Sequence, residues 1–173
     1  NLSSGLVTEI IRTNNRNTTG SSFLSPVFSY DDSEIFYFSF ENKTDNSKPL
    51  CKLRSSNNYV ISDTAHFSSG LTLSGPNNYI IYDNKEFYPW RMISQNIEQN
   101  EKHILSDILF VGACASVSDN GDLVLIGSSN TNHDINLVNI NGTNKRFLSS
   151  GFQASLASDG SKVVFIYHET IRQ

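Results

Sequence analysis

Of 173 residues, 38% are apolar and only 17% charged, with a net charge of −4 and a pI near 5.5. A chain of this length buries one sizeable core, so one domain or one piece of a larger one is expected, and its clustered Phe and Tyr with low charge exclude disorder. No stretch concentrates Lys and Arg with aromatics, which excludes a nucleic-acid groove, and no apolar run approaches the ~20 residues of a membrane helix.

In chain order the elements read as strands. Asn1-Leu2-Ser3-Ser4 lacks the basic start and apolar stretch of a signal peptide, and a processed or trimmed start stays open. Leu6-Val7-Thr8-Glu9-Ile10-Ile11 reads as an outer strand, and 14–22 and 41–48 as loops. A first hairpin spans 25–38, with Ser29 through Asp32 in the turn and Ile35-Phe36-Tyr37-Phe38 returning. Leu50-Cys51-Lys52-Leu53-Arg54 and Tyr59-Val60-Ile61 supply two more strands. The pattern returns at 69–82 around Gly75-Pro76-Asn77-Asn78, and 86–92 offers the next strand, an outer or irregular one because Pro89 cannot donate to a ladder. Residues 97–109 fit either a short helix or an exposed connector. A third hairpin, 113–126, turns at Ser118-Asp119-Asn120-Gly121. The alternating strand 134–139, a tight turn at Asn141-Gly142 and a return at 145–148 follow it. The fourth copy, 153–166, turns at Ser158-Asp159-Gly160-Ser161.

Tyr37, Tyr82, Ile126 and Ile166 hold one position of this pattern and stand 45, 44 and 40 residues apart. That step is the length of one four-stranded propeller blade. The expected fold is therefore all-β: a β-propeller of about four blades of four-stranded antiparallel sheet. It is either part of a larger propeller of six or more blades or a compact ring that 6–11 completes. The units read as 1–22 (outer strand of a preceding or closing blade, plus loop), 23–65, 66–110 (degenerate), 111–150 and 151–173 (inner strands). Ala113, Ala115, Ala154 and Ala157 suit crowded inner strands, while Phe36, Phe38, Tyr82 and Phe165 fill between blades.

The third copy, 115–148, resembles the TolB-type propeller repeat, also called the tryptophan–aspartate-like β-propeller repeat. Ser118-Asp119-Asn120-Gly121 stands where that repeat has Ser-Pro-Asp-Gly, and Asp134-Ile135-Asn136-Leu137 where it has Asp-Ile-Tyr. Residues 141–149 supply its closing segment. Ser158-Asp159-Gly160-Ser161 repeats the turn, as do Pro26 and Ser29 through Asp32 in the first copy. The resemblance implies a propeller acting in the periplasm or outside the cell, on a fold that hosts adaptors, lectins and peptidase lids.

Catalytic constellations are not found. Asp31, Asp32, Asp119 and Asp159 read as turn formers at one phase of the repeat, since Asp accepts from the backbone two residues on. The residues after Gly121 and Gly160 lack the aromatic of sialidase turns. There is no Gly-x-Ser-x-Gly elbow and no phosphate loop. His66, His103, His133 and His168 have no partners at metal-ligand spacing, so neither metal nor cofactor is expected. Cys51 and Cys114 lie in different repeats, with Cys114 read as a buried thiol. The sequons at Asn1, Asn17, Asn42 and Asn141 are what an Asn-, Ser- and Thr-rich chain produces by chance. Phe87, Tyr88, Trp90 and Arg91 have the composition of a partner-binding surface, with packing between blades as the alternative. The reading is a non-enzymatic module for protein–protein or peptide interaction. The alternatives are a carbohydrate-binding propeller (a glycan partner) and the non-catalytic propeller of a larger hydrolase or peptidase.

Overall fold

A computed structural model describes residues 23–39, 50–54, 57–62, 65–66, 71–84, 91–106, 115–127 and 133–167. The strands in this part of the chain pair antiparallel throughout. The first sheet takes β1 (Phe23–Phe28), β2 (Ile35–Ser39), β3 (Leu50–Arg54) and β4 (Asn57–Ser62) in chain order. In the second, β5 (Ala65–His66) and β6 (Thr72–Ser74) both pair with β7 (Tyr79–Asn84), followed by β8 (Arg91–Asn96) and β9 (Lys102–Ile104). The third runs β10 (Ala115–Val117), β11 (Leu123–Gly127), β12 (Asp134–Asn139) and β13 (Arg146–Leu156). The first half of β13 pairs with β12, Asp134 opposite Ser150. Its second half pairs with β14 (Val163–Tyr167), Gly151 opposite Tyr167, so one strand closes one hairpin pair and opens the next.

The side-chain period of two decides how the sheets stack. Consecutive residues of a strand point to opposite faces. Ile80, Tyr82 and Ile93 join Phe36 and Phe38 of the first sheet in one buried cluster. Ile81 and Met92, their immediate neighbours, join Val124, Ile126 and Val138 of the third sheet in another. The third sheet divides in the same way, for Leu125, Ile135 and Leu137 turn from that cluster to Leu156, Val163 and Phe165. Each middle sheet is thus buried on both faces, which explains the unbroken apolar runs of β7 and β11. Fully burying such a side chain is worth about 1.5–3 kcal/mol, so these clusters dominate the stacking. The outward residues of β14, Val164 (68% exposed) and Ile166 (56%), have no sheet over them among the described residues.

One expectation changes. Residues 97–106 are neither helix nor connector: a turn at 97–99 leads into β9, the fourth strand of its sheet. Asn96 causes the reversal, its Oδ1 accepting from the backbone N–H groups of Glu98 (3.0 Å) and Gln99 (2.9 Å). Asn100 completes it at φ 57°. Of the strand expected at 86–92, Arg91 and Met92 open β8; residues 86–90 lie outside the described part, as do the outer strand at 6–11 and Cys114.

Candidate functional site

Four hairpin turns gather at one end of the stacked sheets. In three of them six residues repeat one geometry. The first residue's N–H donates to the carbonyl of the sixth: Ser29 to Glu34 (2.9 Å), Ser118 to Leu123 (3.0 Å), Ala157 to Lys162 (2.8 Å). The fourth residue is left-handed and donates back to the first: Asp32 at φ 58°, Gly121 at 76°, Gly160 at 73°. The third residue accepts from the fifth, as Asp31 does from Ser33 and Asp159 from Ser161. Asp31 and Asp159 therefore share a phase, whereas Asp119 stands one place earlier and Asn120 takes the third position. The expectation that all these carboxylates lie at one phase is corrected accordingly.

The second turn departs from this pattern because Pro76 occupies its third position and offers no side-chain acceptor. Gly75–Asn77 forms a single 3-10 turn, and the left-handed residue moves to Asn78, at φ 54°. Ser74 consequently keeps a buried Oγ without a hydrogen bond. Its counterparts are engaged: Ser118 Oγ donates to Asn120 Oδ1 (2.6 Å) and accepts from Leu123 N–H (3.1 Å).

Neighbouring turns meet through their second residues. Asp119 N–H donates to the Ser158 carbonyl at 2.7 Å, joining the third turn to the fourth. Between the second and third turns the approach is so close that a Cβ on Gly75 would sit 2.7 Å from the Asp119 carbonyl oxygen. Asn77 Nδ2 seals that junction by donating to the Asn120 carbonyl (2.9 Å) and to Asp122 Oδ1 (3.2 Å).

Between the first and second turns the same positions, Tyr30 and Gly75, line a cleft of about 380 Å³. Phe36, Leu73 and Ile97 contribute its apolar lining, and Asp31, Glu34, Asn78 and Glu98 its polar one. Tyr30 is 73% exposed. Asn78 joins two turns here: its carbonyl accepts from Ile97 N–H (2.9 Å), and its Nδ2 donates to Glu98 Oε1 (2.9 Å). The Ser29 hydroxyl, then the Ser33 hydroxyl and N–H, stabilise the Asp31 carboxylate and hold its pKa down to about 2. Asp159 is also lowered, by the N–H and hydroxyl of Ser161. Among the described residues no three His, Cys, Asp or Glu side chains come together as metal ligands would.

Arg91 opens β8 opposite Asn84, while Asn96 at the far end of β8 pairs with Tyr79 beside the turns. It therefore sits at the end of the sheet away from the cleft. Phe87, Tyr88 and Trp90 lie outside the described residues. Tyr30 and Glu98 were not singled out from the sequence. The available signal was an aromatic in Ser29-Tyr30-Asp31-Asp32 at the place where the repeat has proline.

No protein-family model matches the sequence, and no curated protein does. Among solved structures, TolB from Acinetobacter baumannii aligns with a TM-score of 0.66 and 14% identity, over 88% of this chain and 39% of that one. A chain of the nidogen/laminin complex aligns at 0.60 and 12%, over 83% and 56%. A prolyl endopeptidase structure aligns at 0.59 and 9%, over 79% and 23%. The fold is that of a β-propeller. The chain spans less than two thirds of each of these propeller-containing proteins, and no helix among its described residues is long and apolar enough to cross a membrane.

Proposed function

We propose that this chain is a non-enzymatic propeller module whose turn face docks a protein or peptide partner, and that it acts in the periplasm or outside the cell. One observation carries the reading: the turn face is sealed between the second, third and fourth turns and open between the first and second. The opening has an apolar lining and an exposed Tyr at its mouth. Tyr is enriched in binding surfaces because its large face costs little conformational entropy and its hydroxyl tolerates water. The location rests on the TolB-like repeat. Phe87, Tyr88, Trp90 and Arg91 are proposed as a separate contact, of which Arg91 stands at the other end of β8, and the repeat units at 23–65, 66–110 and 111–150 as successive blades.

Random-peptide display on the intact chain, with a glycan array in parallel, tests the reading. Soluble peptides should be enriched and should shift the amide resonances of 29–34 and 97–98. Binding of sugars alone, or turnover of a hydrolysable substrate, would contradict it.

A further inference from the structure

We infer that the cleft between the first and second turns accepts an Arg or Lys side chain presented by an extended segment of the partner. This rests on the docking role proposed above and adds the chemistry of what is docked. The cavity comes first. Leu73 and Ile97, half-buried over the core residue Phe36, offer apolar contact for an aliphatic stem. Tyr30, 73% exposed beside it, presents a ring face for a cation. A volume of about 380 Å³ admits a long side chain and part of its backbone but not a folded element.

Charge then selects among occupants. Asp31, Glu34 and Glu98 all line the cleft, and among the described residues no Lys, Arg or His does. An apolar occupant would strip water from these carboxylates and return no hydrogen bond, and an acidic one would be repelled. A guanidinium or ammonium group on a flexible stem satisfies both halves of the lining at once. The site is also organised in advance. Asp31 is pinned by Ser29 Oγ (2.6 Å) and Ser33 Oγ (2.8 Å), and Glu98 is oriented by Asn78 Nδ2 (2.9 Å). Little side-chain freedom remains to be lost on binding, which favours affinity.

The test uses two fluorescein-labelled peptides of alternating Gly and Arg or alternating Gly and Glu, titrated by anisotropy against the intact chain and against Tyr30→Ala and Glu98→Gln. Both substitutions fall at exposed positions, and unchanged melting temperatures verify the fold. The Arg peptide should bind at least about ten-fold more tightly than the Glu peptide. Each substitution should weaken it by about two- to five-fold, and added salt should weaken it further. An Arg peptide that binds no better than its Glu counterpart, or equally well to all three proteins, overturns the inference. The docking role then stands if display still enriches other peptides that shift the turn resonances, and falls if it enriches none.

Discussion

The junction between the second and third sheets and the one between the first and second share a foundation and differ at the surface. Beneath each lies a buried cluster of equal character, supplied by alternate residues of β7: Ile81, with Met92 of β8, on one side, and Ile80 with Tyr82 on the other. Above the first-named junction, Gly75 lets the backbones approach closely and the Asn77 side chain bridges to the Asn120 carbonyl. Above the other, the partner of Gly75 is Tyr30, and the turns stand around a cleft. Burial energy fixes how the sheets stack. A few residues at the turn tips then decide whether a seam is sealed or open, so a binding site can arise at one seam without disturbing the stack.

The largest expected effects test the common foundation. Ile80→Ala and Ile81→Ala should each cost about 2–5 kcal/mol by chemical denaturation. A cost below about 1 kcal/mol for Ile80→Ala alone would mean that the first sheet is not packed as described. Next comes the sealed surface. Gly75→Ala drives a Cβ against the Asp119 carbonyl and should cost about 1–3 kcal/mol, visible as a lowered melting temperature. Tyr30→Ala, across the open seam from Gly75, should leave stability within about 0.5 kcal/mol. Smaller again is the contrast between serines: Ser118→Ala should cost about 1 kcal/mol, whereas Ser74→Ala, which removes an unsatisfied buried hydroxyl, should be neutral or stabilising. Equal costs would refute the account of the second turn.

The smallest effect is electrostatic. Asp31 should titrate near 2 against an ordinary 3.8, followed by its carboxyl carbon resonance, and Ser29→Ala should raise that midpoint. Because the folded state holds the carboxylate, its stabilisation is present above pH 3.8 and is lost as the pH falls toward 2.

The propeller was legible because hairpin chemistry is local. Ser118 through Gly121 and Ser158 through Ser161 announce turns, and the apolar runs between them have strand length. Residues 97–106 are ambiguous in the sequence because their spacing is only partly helical and an exposed connector fits as well. What settles it is the Asn96 side chain capping the turn, together with Ile97 and Leu105 packing into different clusters, neither of which is a sequence pattern. The cleft escaped for a similar reason. Tyr30 and Asp31 lie far from Glu98 in the chain, and only the offset between a regular first turn and a proline-bent second one brings them to a common cavity. Composition directed attention to Phe87, Tyr88, Trp90 and Arg91, of which Arg91 belongs to the other end of the sheet.

Methyl-labelled isoleucine spectra address the stacking most directly. Ile80 should show cross-peaks to ring protons of Phe36 and Phe38, and Ile81 to methyls of Val124, Ile126 and Val138, with no overlap between the two sets. Shared neighbours for these adjacent residues, or contacts of Ile80 with the third sheet, would contradict a radial stack and remove the seams on which the docking proposal depends.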